Sequence, residues 1–190
     1  SRLEEASRVL ARAFHEDPAW TWILPSPRRR ARTLPGLFRT AIAVTMAGGR
    51  VETTAGAVQG LALWIPPGDA VLAVNRAAAR TMLTVPLRLR SAFGRFRTYT
   101  EWNYELQRRA HPGPVLFLSG LGVDPAYQGR GVGGALLEAG LAREPDATAV
   151  LLTNNERNLR FYEAHGFETV LAERTPDGGP MTWAMRRNPR

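Results

Sequence analysis

The residues best suited to chemistry lie in one run, Leu118-Ser119-Gly120-Leu121-Gly122-Val123-Asp124-Pro125-Ala126-Tyr127-Gln128-Gly129-Arg130-Gly131-Val132-Gly133-Gly134-Ala135-Leu136-Leu137. An apolar strand runs into a glycine-rich turn and then into a helix with apolar periodicity, so free backbone amides converge where the helix begins. Such a site suits a phosphate. Gly129, Gly131 and Gly134 also fit the spacing of a dinucleotide fingerprint. That reading requires an acidic residue at the end of the next strand, about 20 residues on. Here the next strand candidate, Ala149 to Leu152, ends in Thr153-Asn154-Asn155. A nucleoside triphosphate loop needs a lysine, and all 25 basic residues of this chain are arginine. Four glycines within residues 129–134 exceed what an ordinary strand-to-helix turn requires.

What remains is a pyrophosphate loop of the form Gln/Arg-x-x-Gly-x-Gly/Ala, matched by Gln128, Gly131 and Gly133. Here the sequence resembles the GNAT superfamily of acyl-CoA-dependent N-acetyltransferases, whose loop has this form after a strand ending in an apolar-Val-x-Pro segment. Downstream, Asn158-Leu159-Arg160-Phe161-Tyr162-Glu163-Ala164-His165-Gly166-Phe167 resembles the same superfamily's Asn/Tyr/Gly-Phe helix. Within it the likeness is greatest to puromycin N-acetyltransferases, in Leu61 to Trp64, the strand and loop, Asn158 to Phe167, and Thr182-Trp183. The resemblance is firm from Val115 onward and looser before it. It implies an α/β fold, a single GNAT-type domain over residues 1–190, with a mixed, mostly antiparallel sheet splayed at the acyl-CoA site and flanked by helices. Residues 1–112 would form the acceptor side and residues 113–190 the acetyl-CoA side. Family folds place a strand before the first helix. Helical periodicity here already begins at Leu3, which implies that the first strand is missing and the chain trimmed or processed.

The resemblance assigns acetyl-CoA to the main-chain amides of Gln128, Gly129, Arg130, Gly131, Val132 and Gly133, with Arg130 either reaching the 3′-phosphate or solvated. An amine attacking a thioester develops an oxyanion, which needs a hydrogen-bond donor. In the family this is a backbone amide of the central strand, here around Leu121, Gly122 and Val123. Gly120 and Gly122 share a face of that strand, leaving room for the pantetheine arm. Asn158 would hold the pantetheine amide, and Tyr162 would protonate the leaving thiolate. Many members carry a base on the central strand. This one has only Ser119 there, and Glu16, Asp17, Glu101, Glu105 and His111 are the alternatives, each more readily read as a surface group. For the acceptor pocket, Trp20, Trp22 and Trp102 are candidates because they sit in or beside irregular segments. Trp64 and Trp183, on strands, read as core.

The elements that must position these groups follow from periodicity and breakers. A first helix runs from near Ser1 to the Asp17-Pro18 stop, and a second spans Arg28 to Ala47, perturbed at Pro35-Gly36 and closed by Gly48-Gly49. Val51 to Thr54 and Val58 to Ile65 form a hairpin, and Ala70 to Arg108 is mostly helical with breaks near Pro86 and Gly94. Val115 to Val123 is the central strand, apolar enough to be buried on both faces. A helix to Arg143, a strand at Thr148 to Leu152, the Tyr162 helix, and strands at Phe167 to Glu173 and Met181 to Arg186 complete the chain.

With 190 residues, 44% hydrophobic and 22% charged, the composition is that of one globular domain. Zero cysteine removes a thiol nucleophile, a thiolate metal site and any disulfide, and zero lysine removes Schiff-base chemistry, leaving direct transfer as the route. No metal site is expected. The net charge of +8 suits a polyanionic cofactor, and without a nucleic-acid-binding signature it reads as a solvated arginine surface. No apolar run approaches the ~20 residues of a membrane span, and no leader pattern is present. The expectation is therefore a cytoplasmic acetyl-CoA-dependent N-acetyltransferase whose partner is a small-molecule primary amine, with no nucleic acid or membrane partner. A homodimer, a peptide or protein acceptor, and a non-catalytic acyl-CoA sensor stay open.

Overall fold

The computed structural model describes residues 1–81 and 85–189. Helix α1 (Arg2–Ala13) begins at a Ser1/Glu4 capping box. Two prolines then open helices, because proline's fixed φ and missing N–H suit the first helical position. Pro18, behind the cap Asp17, starts the short α2 (Pro18–Ile23), and Pro27, behind Ser26, starts α3 (Pro27–Met46). The Asp17-Pro18 pair thus begins a helix as well as stopping one. Helix α3 runs through Pro35 without a break.

The hairpin is β1 (Arg50–Thr53) and β2 (Gly60–Ile65). Three helices follow: α4 (Asp69–Thr81), α5 (Val85–Leu89) and α6 (Phe93–Ala110). Pro86 and Gly94, expected as breaks, lie inside α5 and α6. The turn between those two helices falls at Arg90, whose φ is +48°. Then come β3 (Leu116–Val123), α7 (Val132–Leu141), β4 (Ala149–Thr153), α8 (Leu159–Glu163), β5 (Glu168–Arg174) and β6 (Met181–Arg187).

The six strands form one sheet in the order β1-β2-β3-β4-β6-β5. Only β3 and β4 are parallel, so the sheet is mixed and mostly antiparallel. The β1 edge of the sheet has no strand from residues 1–10, of which Ser1 is the cap and residues 2–10 are helical. Strand β2 is the most deeply buried, because both faces are covered. Leu61 and Leu63 pack with Leu10, Leu34 and Phe38 beneath α1 and α3, while Ala62 and Trp64 pack with Leu137 and Leu141 of α7.

The decisive irregularity is in β3. Leu63 pairs with Gly120 but Trp64 pairs with Leu118, so Ser119 is an extra residue, a β-bulge. The bulge resets the alternation of side chains. Leu118 and Leu121 both face the α7 core, and Gly122 turns toward α1. Pairing of β3 with β4 ends at Leu118↔Leu151, and from there to Val123 its strand pairing is with β2 alone. The expected burial of β3 on both faces is not met: Leu116, Leu118 and Gly122 are buried, but Phe117 is half-buried. Ser119 is exposed, and Gly120, Leu121 and Val123 are half-buried.

Helix α7 is fixed against the sheet at Gly140, where a Cβ would overlap the fully buried indole of Trp64. Gly140→Ala is therefore expected to destabilise the fold by about 1–3 kcal/mol and lower Tm by about 2–12 °C, read by thermal denaturation.

Candidate active site

Where β3 leaves β4, a cleft of ≈ 600 Å³ opens. One wall is the end of β3 and the loop beyond it. Asp124 caps a short 3-10 turn at Pro125–Tyr127 through a bond from Ala126 N–H (3.1 Å) and is ion-paired with Arg12 of α1, whose Nε donates at 2.9 Å. Arg12 holds the Asp124 carboxyl below the usual range against the opposing effect of burial, the largest single influence on it. Gln128 Nε2 donates to Val123 O at 3.0 Å, tying the loop back to its strand.

Gly129 and Gly131 have φ of +74° and +79°, the left-handed region that glycine enters without strain. Gly131 is the N-cap of α7 and supplies no side-chain acceptor for the helix's first amides. Those amides are free for an anionic ligand, and the helix dipole favours one. Gly133 and Gly134 continue the wall. Arg130 is exposed and stacks over Tyr127, 5.5 Å from the ring centroid. It does not line the cleft, whereas Arg157 does.

The floor is the unpaired edge of β3. Alternate peptide groups of an antiparallel strand point to opposite sides. Those of Leu121–Val123 that point away from β2 meet no partner strand among the described residues. Gly122 is needed for a reason other than room for a ligand: the space beside its Cα is filled by Leu10, Ala13 and Phe14 of α1.

The opposite wall comes from α8 and the 3-10 turn before it. Asn158 is half-buried and donates to Thr153 Oγ1 at 3.3 Å. Tyr162 is 6% exposed, held edge-on by Phe161 and Phe167 at ring separations of 5.1 and 5.9 Å. Burial first, and then the charge of Asp17, push the Tyr162 phenol above its ordinary range, so it carries its proton at neutral pH.

Asp17, at the α1–α2 junction, lines the same cleft. Its Oδ1 accepts from Ala19 N–H at 2.9 Å, capping α2. Burial lifts its carboxyl to about 6, against the opposing pull of backbone bonds from Ala19 and Trp20. Behind it, Tyr99 of α6 donates to Asn154 Oδ1 at 2.7 Å, and Asn154 Nδ2 donates to Thr182 Oγ1 (2.7 Å) and Met181 O (2.9 Å). This buried chain joins α6 to β4 and β6.

The tryptophans expected near the acceptor stand outside the cleft lining. Trp20 packs on Phe38 and Phe96 at 5.6 and 6.2 Å, and the Trp22 ring lies under Arg95 at 5.8 Å. Trp102 has a buried indole N–H without a partner. Trp64 is fully buried and Trp183 half-buried. Of the alternative bases, Glu16 and Asp17 line the cleft, while Glu101, Glu105 and His111 do not. Glu16 is exposed and bound to Arg30 through both carboxylate oxygens at 3.1 Å. Sequence reasoning did not single out Phe14 or Arg157 as cleft residues.

The raised Asp17 carboxyl has a consequence for stability. Its folded value, about 6, lies above its ordinary value of 3.8, so the folded chain binds more protons than the unfolded chain between those limits. Asp17's contribution therefore falls as pH rises through that window. Asp17→Asn keeps the cap and has no charge to desolvate. The stability difference between Asp17→Asn and the wild type should grow in the variant's favour from pH 4 to about 6 and then level, measured by urea denaturation across pH.

Residues 92–169 match the family model of the acetyltransferase (GNAT) domain. A structure described as histone acetyltransferase HPA2 and related acetyltransferase, from Corynebacterium glutamicum, is similar at 26% identity and a TM-score of 0.67, covering 99% of this chain and 91% of that one. The protein PH1933 of Pyrococcus horikoshii shares the fold at 13% identity and a TM-score of 0.59, over 98% and 92% of the two chains. Polyamine N-acetyltransferase of Drosophila melanogaster does so at 16% identity and 0.51, over 73% of each chain. No described helix is long and apolar enough to cross a membrane. The splayed six-stranded sheet, the glycine loop at its opening and the matched domain identify the chain as an acyltransferase with the GNAT fold.

Proposed function

We propose that the chain transfers an acetyl group from acetyl-CoA directly to the primary amine of a small molecule. One observation carries this reading: a single cleft joins the uncapped start of α7, the unpaired edge of β3 and the protonated phenol of Tyr162. The first two lie in one run of sequence, and Tyr162 joins them only in the fold. Together they meet the three demands of thioester aminolysis: an anion site for the donor, a donor to the developing oxyanion, and a proton for the leaving thiolate.

Acetyl-CoA supplies the activated acetyl group. The amides of residues 128–133 bind its pyrophosphate, and Asn158 orients the arm. A main-chain amide among Leu121–Val123 stabilises negative charge on the carbonyl oxygen, and Tyr162 protonates the departing sulfur. Residues 113–190 thus serve the donor and residues 1–112 the acceptor, with Trp20 and Trp22 buttressing α2 beside the acceptor. The cytoplasm is the setting this chemistry implies. The likeness of Leu61–Trp64 and Thr182-Trp183 to puromycin acetyltransferases supports a small-molecule amine. The 26% likeness to the Corynebacterium protein supports a second reading, an amine on a protein.

Thiol release with acetyl-CoA and a panel of polyamines, amino-nucleosides and lysine peptides tests these readings. Preference for the peptides replaces the first by the second. Gly131→Val forces a β-branched residue into a left-handed conformation, and Gly133→Val fills the wall next to Val123 and Phe161. Both variants are expected to fold yet lose acetyl-CoA affinity in calorimetry, and undiminished affinity places the donor elsewhere. Tyr162→Phe is expected to lower kcat by about 10- to 1,000-fold with the acetyl-CoA Kd nearly unchanged, whereas Asn158→Ala weakens acetyl-CoA more than turnover.

A further inference from the structure

We propose that Asp17 is the general base of this reaction, taking the proton from the acceptor's ammonium in the cleft that it lines together with Tyr162. The proposal rests on the acetyl-transfer reading and adds the group that the central strand does not provide, since Ser119 at the bulge is committed to Leu63 O at 3.2 Å.

The first support is position. Asp17 and Tyr162 line one cleft, and Asp17's charge is felt at Tyr162. The second is the lack of a counter-charge. Arg30 is bound to Glu16 and Arg12 to Asp124, Arg95 donates to Trp22 O at 3.0 Å, and His15 is bonded to Glu16 at 2.6 Å. Tyr99, facing from α6, spends its proton on Asn154. No ion pair to Asp17 occurs among the described residues, and Arg157 stands exposed on the cleft wall. A half-buried carboxylate without a cation, open to a cleft, is complementary to a primary amine, which arrives as an ammonium. The third support is proton affinity. Asp17 is raised to about 6, near the value that suits a base at neutral pH, while the Tyr162 phenol stays protonated. Two titratable groups facing one cleft, one ionised and one not, divide the work into base and acid.

The step balances. The ammonium gives one proton to the Asp17 carboxylate, and the freed lone pair forms the N–C bond as the C–S bond breaks. Tyr162 gives its proton to the sulfur and recovers one from the nitrogen, which becomes the amide. Asp17 releases its proton to solvent. The products are the acetamide, the thiol and one proton.

Asp17 also caps α2, so the test must separate base from cap. Asparagine and serine both cap. Thiol release is measured with acetyl-CoA and the best amine of the panel, from pH 5 to 9, for the wild type, Asp17→Asn and Asp17→Ser. The wild type is expected to show an acid limb in kcat/KM with a midpoint near 6. Both variants are expected to lose about 10²- to 10⁴-fold at pH 7. Their rates should then climb by about tenfold per pH unit, following the free amine, because an alkyl amine titrates near 10. The acetyl-CoA Kd should stay unchanged. Asp17→Asn turning over at the wild-type rate with the acid limb intact overturns the assignment and leaves acetyl transfer standing. A wild-type chain that releases no thiol with any amine overturns acetyl transfer and the base with it.

Discussion

The parting of β3 from β4 after the Leu118↔Leu151 pair is the constraint on which the molecule depends. A continuous parallel ladder would consume the peptide groups of Leu121–Val123 in hydrogen bonds and close the gap between the glycine loop and α8. The bulge at Ser119 keeps β3 attached to β2 while changing which face its later residues present. Unpaired main chain is costly in a buried setting, so it survives where a ligand or water can satisfy it. Here that place is a cleft.

The surroundings hold the parted strands in position from both sides. On the α1 side, Leu10, Ala13 and Phe14 fill the gap left by Gly122, so α1 rests directly on the β3 backbone, and the Arg12–Asp124 pair pins the same helix to the start of the loop. On the other side, α7 closes over Trp64. The Tyr99–Asn154–Thr182 chain fixes α6 against the far strands with every bond buried or nearly so. Such a network is rigid because its buried polar atoms are satisfied within it.

The parts legible in the sequence were those whose evidence is local. Gly129, Gly131 and Gly133 announce a turn followed by a helix start within a few residues, and Asn158 and Tyr162 stand in one short segment. The mixed, mostly antiparallel sheet flanked by helices followed from the resemblance, whereas the strand order came only with the structure. What stayed hidden depends on distant packing. Asp17 looked like one surface group among five candidate bases, because its proton affinity comes from burial beside Tyr99 and Tyr162, which lie 82 and 145 residues away in sequence. Gly122 looked like space for a ligand because nothing in the strand foretells that α1 occupies that space. Trp20 and Trp22 looked like pocket residues because Asp17-Pro18 was read as a stop, although the same pair is a strong start signal. Arg90's positive φ had no local warning at all.

The Gly140–Trp64 contact has an azimuthal consequence. Helix α7 has only 10 residues, a rod about 15 Å long, and each residue advances about 100° around its axis. Seating one end of such a rod against an indole that cannot move sets the compass bearing of the amides at the other end. A substitution that rolls the helix by a small angle at Gly140 turns the Gly131–Gly133 amides away from their common focus while leaving each of them chemically intact. The aim of the proposed phosphate site is thereby geared to a contact in the protein interior.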